Sequence, residues 1–74
     1  MSDTFDELDR VLDEESWDFL NDNYPSLAIT VQKEISKGRS PESIKRRVIE
    51  RLGIHRVALA QRCELAAKHL ERSK

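Results

Sequence analysis

Ser40-Pro41 at one end and Gly53 at the other enclose a stretch of this chain that has little choice but to be a helix. Ser40 can cap with its hydroxyl, and Pro41 brings a pre-set φ to the first helical position, where its missing N–H is no loss. Glu42 adds negative charge in the first turn, where the helix dipole favours it. Ile44, Val48 and Leu52 recur every four residues, with Ile49 widening the stripe. Gly53 is expected to stop the helix in a left-handed backbone conformation, and Ile54 to make the hydrophobic contact that follows such a cap. From His55 or Arg56 a second helix runs nearly to the C-terminus. Leu59, Cys63, Ala66 and Leu70 fall on one core-facing stripe, with the small residues Ala60 and Ala67 beside it. Only Gly53 and Ile54 separate the two helices, so the chain turns sharply there, as an αα-hairpin or a helix-turn-helix corner.

The rest of the chain reads as helix too. Thr4 and Glu7 have capping-box spacing. Phe5, Leu8 and Leu12 mark one face of an N-terminal helix, with Val11 at its margin. Asp13-Glu14-Glu15-Ser16 then interrupts the apolar stripe, and Asp13 or Ser16 could cap a second short helix carrying Trp17, Phe19 and Leu20. One bent helix or two both satisfy the pattern over residues 4–22. Trp17 and Phe19 do not share a face, so one is expected to pack and the other to show. Asn21-Asp22-Asn23-Tyr24-Pro25 breaks the pattern, with Asn23 or Tyr24 as cap to a helix opened by Pro25. Tyr24, Leu27, Ala28, Val31 and Ile35 line one side of that helix, Ile29 points nearly opposite, and Gly38 closes it.

No run alternates with period two, and each of the two glycines and two prolines sits at a helix boundary. The fold class expected is all-α: one domain over residues 1–74, a compact bundle of four to five short helices with the corner at Gly53. The helices after Pro25 are expected to form a three-helix core, with the N-terminal segment laid against it and its apolar face filling the remaining groove. At 74 residues, with 38% hydrophobic and 36% charged side chains, the core is lean, and a second copy is a natural source of added stability.

The net charge of −1 conceals a strong polarity. Residues 1–22 carry nine carboxylates against Arg10, whereas residues 23–74 carry twelve Lys or Arg against five Glu, so an acidic segment precedes a basic helical core. Lys33–Lys37, Arg47–Arg51 and Lys68–Arg72 are like-charged pairs at i, i+4, each opposing helix formation by about a few tenths of a kcal/mol. Such pairs call for an offsetting negative charge: a nucleic-acid backbone, an acidic partner, or the chain's own N-terminal segment. A plain solvated face is the alternative. With Arg62 these six residues form the candidate basic binding surface. Glu42–Arg46 and Glu64–Lys68 read as ordinary stabilising pairs. Leu65, opposite the main stripe, joins Phe19 and Ile29 as a candidate interface for self-association.

Catalytic equipment is sparse. Cys63, His55 and His69 are the nucleophile and base candidates. On one helix His69 lies about 120° around from Cys63, and His55 is two turns distant. No Cys–His pair forms that way, and Cys63 reads as a small buried hydrophobe. No pair of Cys or His has metal-ligand spacing, the acidic run lacks a calcium loop's glycine, and no glycine-rich phosphate loop occurs. The expectation is a non-enzyme with no cofactor, no metal and no small-molecule substrate. A single cysteine suits a reducing compartment, and no apolar run is long enough for a signal peptide or a membrane span, so the chain reads as cytoplasmic, with no membrane partner.

The segment from Arg46 to Ile54 resembles the first half of a helix-turn-helix motif, with Leu59 at an expected buried position. Ile49 stands where that motif prefers a small residue, and Arg62 where it expects a buried aliphatic one. His55-Arg56-Val57-Ala58-Leu59-Ala60-Gln61 offers few groups suited to reading base edges. The tail from Val57 to Glu71, with the acidic start, resembles small uncharacterised helical proteins of actinobacterial bacteriophages. That resemblance implies an intracellular accessory protein and assigns no site residues. The leading expectation is a self-associating helical interaction module, a dimer, that binds an acidic macromolecule or its own acidic segment. A small helix-turn-helix nucleic-acid-binding regulator is the alternative.

Overall fold

No glycine or proline occurs between Asp3 and Asn23, and the acidic run that breaks the apolar pattern there leaves the helix intact. The computed structural model describes residues 3–73, and side chains from Asp6 to Ser73. Within them the order is α1 (Asp3–Asn23), α2 (Pro25–Ser36), α3 (Pro41–Leu52), a 3₁₀ turn (Ile54–Arg56) and α4 (Val57–Arg72), with no strand among the described residues. The N-terminal segment is thus one helix, roughly 30 Å long. It begins one residue before Thr4, and the side chains of Thr4 and Phe5 lie outside those described.

Helix boundaries follow local chemistry. Ser40 Oγ accepts the Ser43 N–H at 3.1 Å, with Pro41 next to it at the start of α3. Tyr24 precedes Pro25 but makes no side-chain cap, because its hydroxyl is too far from its own backbone to serve. The Asn23 amide donates instead to the carbonyl of Phe19. At the end of α2 the Gly38 N–H donates to Ile35 and the Arg39 N–H to Glu34, the paired bonds of a Schellman closure, with Gly38 at φ +88°.

Gly53 departs from the expected left-handed cap. Its φ of +96° is joined to a ψ of +161°, a region that is essentially closed to residues with a side chain. Ile54 after it is not enclosed by the contact expected of it and stands 71% exposed.

The helices are organised around α4. It packs most extensively against α1, then α3, then α2, whereas α2 and α3 scarcely meet and the backbones of α1 and α3 do not approach closely among the described residues. The three-helix core expected after Pro25 is therefore replaced by an arrangement with α1 as the principal partner of α4. Small residues make this possible: Ala60, Cys63, Ala66 and Ala67 are fully buried along α4, as is Ser16 on α1, and small side chains let helix backbones approach closely. Leu20 of α1, Ala28, Val31 and Ile35 of α2, and Ile44 and Val48 of α3 complete the core. Full burial of Leu20 alone is worth about 1.5–3 kcal/mol. Trp17 and Phe19 are both half-buried against this core, because α1 is flanked by α2 as well as α4.

Candidate functional site

Because α2 and α3 both lean on α4 and barely touch each other, a groove of about 440 Å³ opens between them. The four-residue spacing of Ile44, Val48 and Leu52 puts these side chains on the α3 wall, and Leu27 and Val31 line the α2 wall. Leu52 remains 39% exposed at its edge. The rim is charged: Lys37, which follows the last residue of α2, and Arg47 and Arg51 from α3 line the groove together with Glu34.

Glu34 was not marked by any sequence pattern, yet it is the electrostatic centre of this site. It is buried at its base, and Arg47 Nη1 donates to its Oε1 at 2.6 Å. Lys37 Nζ lies 3.7 Å from Oε2, and Arg39 Nε, brought round by the Schellman closure, lies 3.8 Å from Oε1. The Arg47 hydrogen bond, aided by the charges of Arg47, Arg39 and Lys37, holds the Glu34 carboxyl below the ordinary range against the opposing effect of burial. One carboxylate thus answers three cations, and the groove keeps a positive excess to which Arg51, with no ion pair of its own among the described residues, adds.

The basic residues singled out from the sequence do not form one surface. Lys37, Arg47 and Arg51 gather at the groove. Lys33 sits with Ile29 and Lys37 around a shallower hollow on α2. Arg62 lies over the Phe19 ring, its guanidinium carbon 4.7 Å from the centroid, a cation–π contact worth about 0.5–1 kcal/mol. Arg72 donates to the buried carboxylate of Asp13. Lys68 is exposed on α4 without an ion pair among the described residues, since Glu64 pairs with Lys45 of α3, at 3.9 Å. The expected interface trio is likewise dispersed. Phe19 is engaged by Arg62 and by Tyr24, ring centroids 5.9 Å apart, Leu65 is half-buried on α4, and Ile29 alone is freely exposed on α2.

The exposed apolar surface lies elsewhere. Leu8, Val11 and Leu12 are 53%, 53% and 51% exposed, although they were expected to fill a groove of the chain's own core. Two facts bear on it. The buried face of α1 carries Asp13, Ser16 and Leu20, and around the helix from its centre Leu12 lies roughly 75°, Leu8 roughly 115° and Val11 nearly opposite. The two helices also run antiparallel, with Phe19 beside Arg62 and Asp13 beside Arg72, the last helical residue of α4, and every described side chain from Asp6 to Leu12 is exposed.

Cys63 is fully buried, and burial pushes its thiol up to about 11, so it is protonated and inert at neutral pH. No group of three or more His, Cys, Asp or Glu side chains suited to a metal ion occurs among the described residues, and none of their helices is long and apolar enough to cross a membrane. Compared with family models, curated proteins and solved structures, the chain matches none.

Proposed function

We propose that this chain is a non-enzymatic interaction module that self-associates and receives an acidic macromolecular surface on its basic side. The observation carrying this reading is the α2–α3 groove, whose apolar floor is rimmed by Lys37, Arg47 and Arg51 with only Glu34 to balance them. An apolar floor with a single-sign rim suits an amphipathic acidic helix, where the floor supplies affinity and the rim orientation. A phosphate backbone would leave that floor unused. The helix-turn-helix reading is further weakened by α4, which as the most enclosed helix holds Arg62 against Phe19 and offers little to a DNA groove. A non-enzymatic role accords with a sealed, protonated Cys63. A cytoplasmic setting keeps that lone thiol reduced, and an accessory role of the kind suggested by the phage-protein resemblance needs no more than binding.

The test is sedimentation equilibrium of the full chain at micromolar concentration. A mass above one chain at low salt, declining as salt screens the charges, is expected. A single-chain mass at every concentration and salt would overturn self-association. Retardation of nonspecific duplex DNA that is lost with salt and with Arg47→Ala/Arg51→Ala would transfer the groove to nucleic acid instead.

A further inference from the structure

We infer that the occupant of the α2–α3 groove is the exposed N-terminal half of α1 from a second copy of this chain. The inference rests on the self-association reading and names the two surfaces that meet. On one side, Leu8, Val11 and Leu12 form an apolar stripe at i, i+3 and i+4, exposed on the N-terminal half of α1. Glu7, Asp9, Glu14 and Glu15 surround it, all exposed, with Arg10 the single cation in that part of the helix. On the other, Leu27, Val31, Val48 and Leu52 form an apolar floor under Lys37, Arg47 and Arg51. The two match in both respects: apolar stripe to apolar floor, carboxylate flanks to cationic rim.

The chain cannot make this contact with itself. Leu20 and the Asp13–Arg72 pair fix α1 against α4 as one unbroken helix, and the backbones of α1 and α3 do not approach closely among the described residues. The stripe and the groove are therefore both left open within one molecule. Because they are unlike surfaces, the contact closes as a pair when each copy places its helix in the other's groove, and otherwise propagates.

The experiment uses the full chain in two variants whose fold is first established by circular dichroism. Leu8→Gln/Leu12→Gln alters the solvent-facing stripe and leaves the groove intact. Arg51→Glu alters the rim at a cation with no ion pair among the described residues, leaving Glu34 and Arg47 together. Each is expected to weaken self-association, read by sedimentation equilibrium, by about tenfold or more. Mixed in equal amounts the two defective chains should associate again, since one brings an intact groove and the other an intact stripe. With the Leu8→Gln/Leu12→Gln chain isotope-labelled, amide shifts should move at Leu27, Val31, Val48 and Leu52 on adding the other. If the wild-type chain self-associates and Leu8→Gln/Leu12→Gln associates as tightly, the groove's occupant is wrong while self-association stands. A wild-type chain that is monomeric throughout removes both. Should Arg51→Glu fail to fold, the stripe variant alone decides, because its positions face water.

Discussion

Glu34 shows how one side chain can set the character of a surface. Its carboxyl takes the shortest ion pair of the groove from Arg47 and two further cations at longer range, and the cations of α2 and α3 are arranged by their approach to it. Since its folded pKa is depressed below the ordinary 4.5, its contribution to stability is complete above that pH and is lost as pH falls through the lower folded value. Unfolding by urea, followed from neutral pH downward, should therefore show a stability loss below pH 4.5 that Glu34→Gln reduces in steepness. An acid limb identical in the two proteins would mean that the Arg47 contact does not outlast solvent competition. Nothing in the sequence announced this residue. Lys37 at i+3 is visible locally, but Arg47 is thirteen positions away, and only the turn through Gly38 and the start of α3 at Pro41 bring it back.

At the scale of the element, the corner between α3 and α4 depends on a backbone that only glycine adopts readily. At φ +96° and ψ +161°, Gly53 lies outside the left-handed basin in which asparagine is a tolerated substitute. Gly53→Ala and Gly53→Asn should therefore cost a similar amount, about 1–3 kcal/mol by urea titration. An added Cβ also comes within 2.9 Å of the His55 ring, but that side chain is exposed and its far end can swing aside. The loss should accordingly survive in Gly53→Ala/His55→Ala, and an Asn variant as stable as wild type would restore the ordinary cap. The existence of this corner was legible because cap, proline and glycine act on their immediate neighbours. So were the buried positions of α4, though centred on Ala60, Cys63 and Ala67 rather than on Leu59 and Leu70, which are half-buried. The rotation reflects packing on more than one side, which a single-stripe reading cannot register. α1 was legible as helix but not as one helix, since a change of buried face and a helix break both interrupt an apolar pattern. Only the absence of glycine and proline from residues 3–23 separates the two.

Over the whole molecule, the acidic head packs on the basic body through Leu20 and its neighbours, while most acids of α1 stay in water. A single ion pair among the described residues, Asp13–Arg72, joins the two. Asp13 is 1% exposed in the middle of α1, and Arg72 reaches it from the last turn of α4, fifty-nine residues on. This pair lies within the most extensive helix–helix contact, and the exposed residues 6–12 follow directly on its N-terminal side. Truncating Arg72 to Ala leaves a buried carboxylate without its cation. A fully buried pair broken this way costs about 3–5 kcal/mol. Arg72 is 42% exposed, so water relieves part of the loss and about 1–3 kcal/mol is expected by urea titration. The charge, rather than the contact, is then at fault. Asp13→Leu added to Arg72→Ala should recover most of the stability by replacing the stranded carboxylate with an apolar group suited to a face shared with Ser16 and Leu20. If the double variant is no more stable than Arg72→Ala, the buried charge is not what the cation relieves, and the packing of α1 on α4 must rest on Leu20 and its apolar neighbours alone.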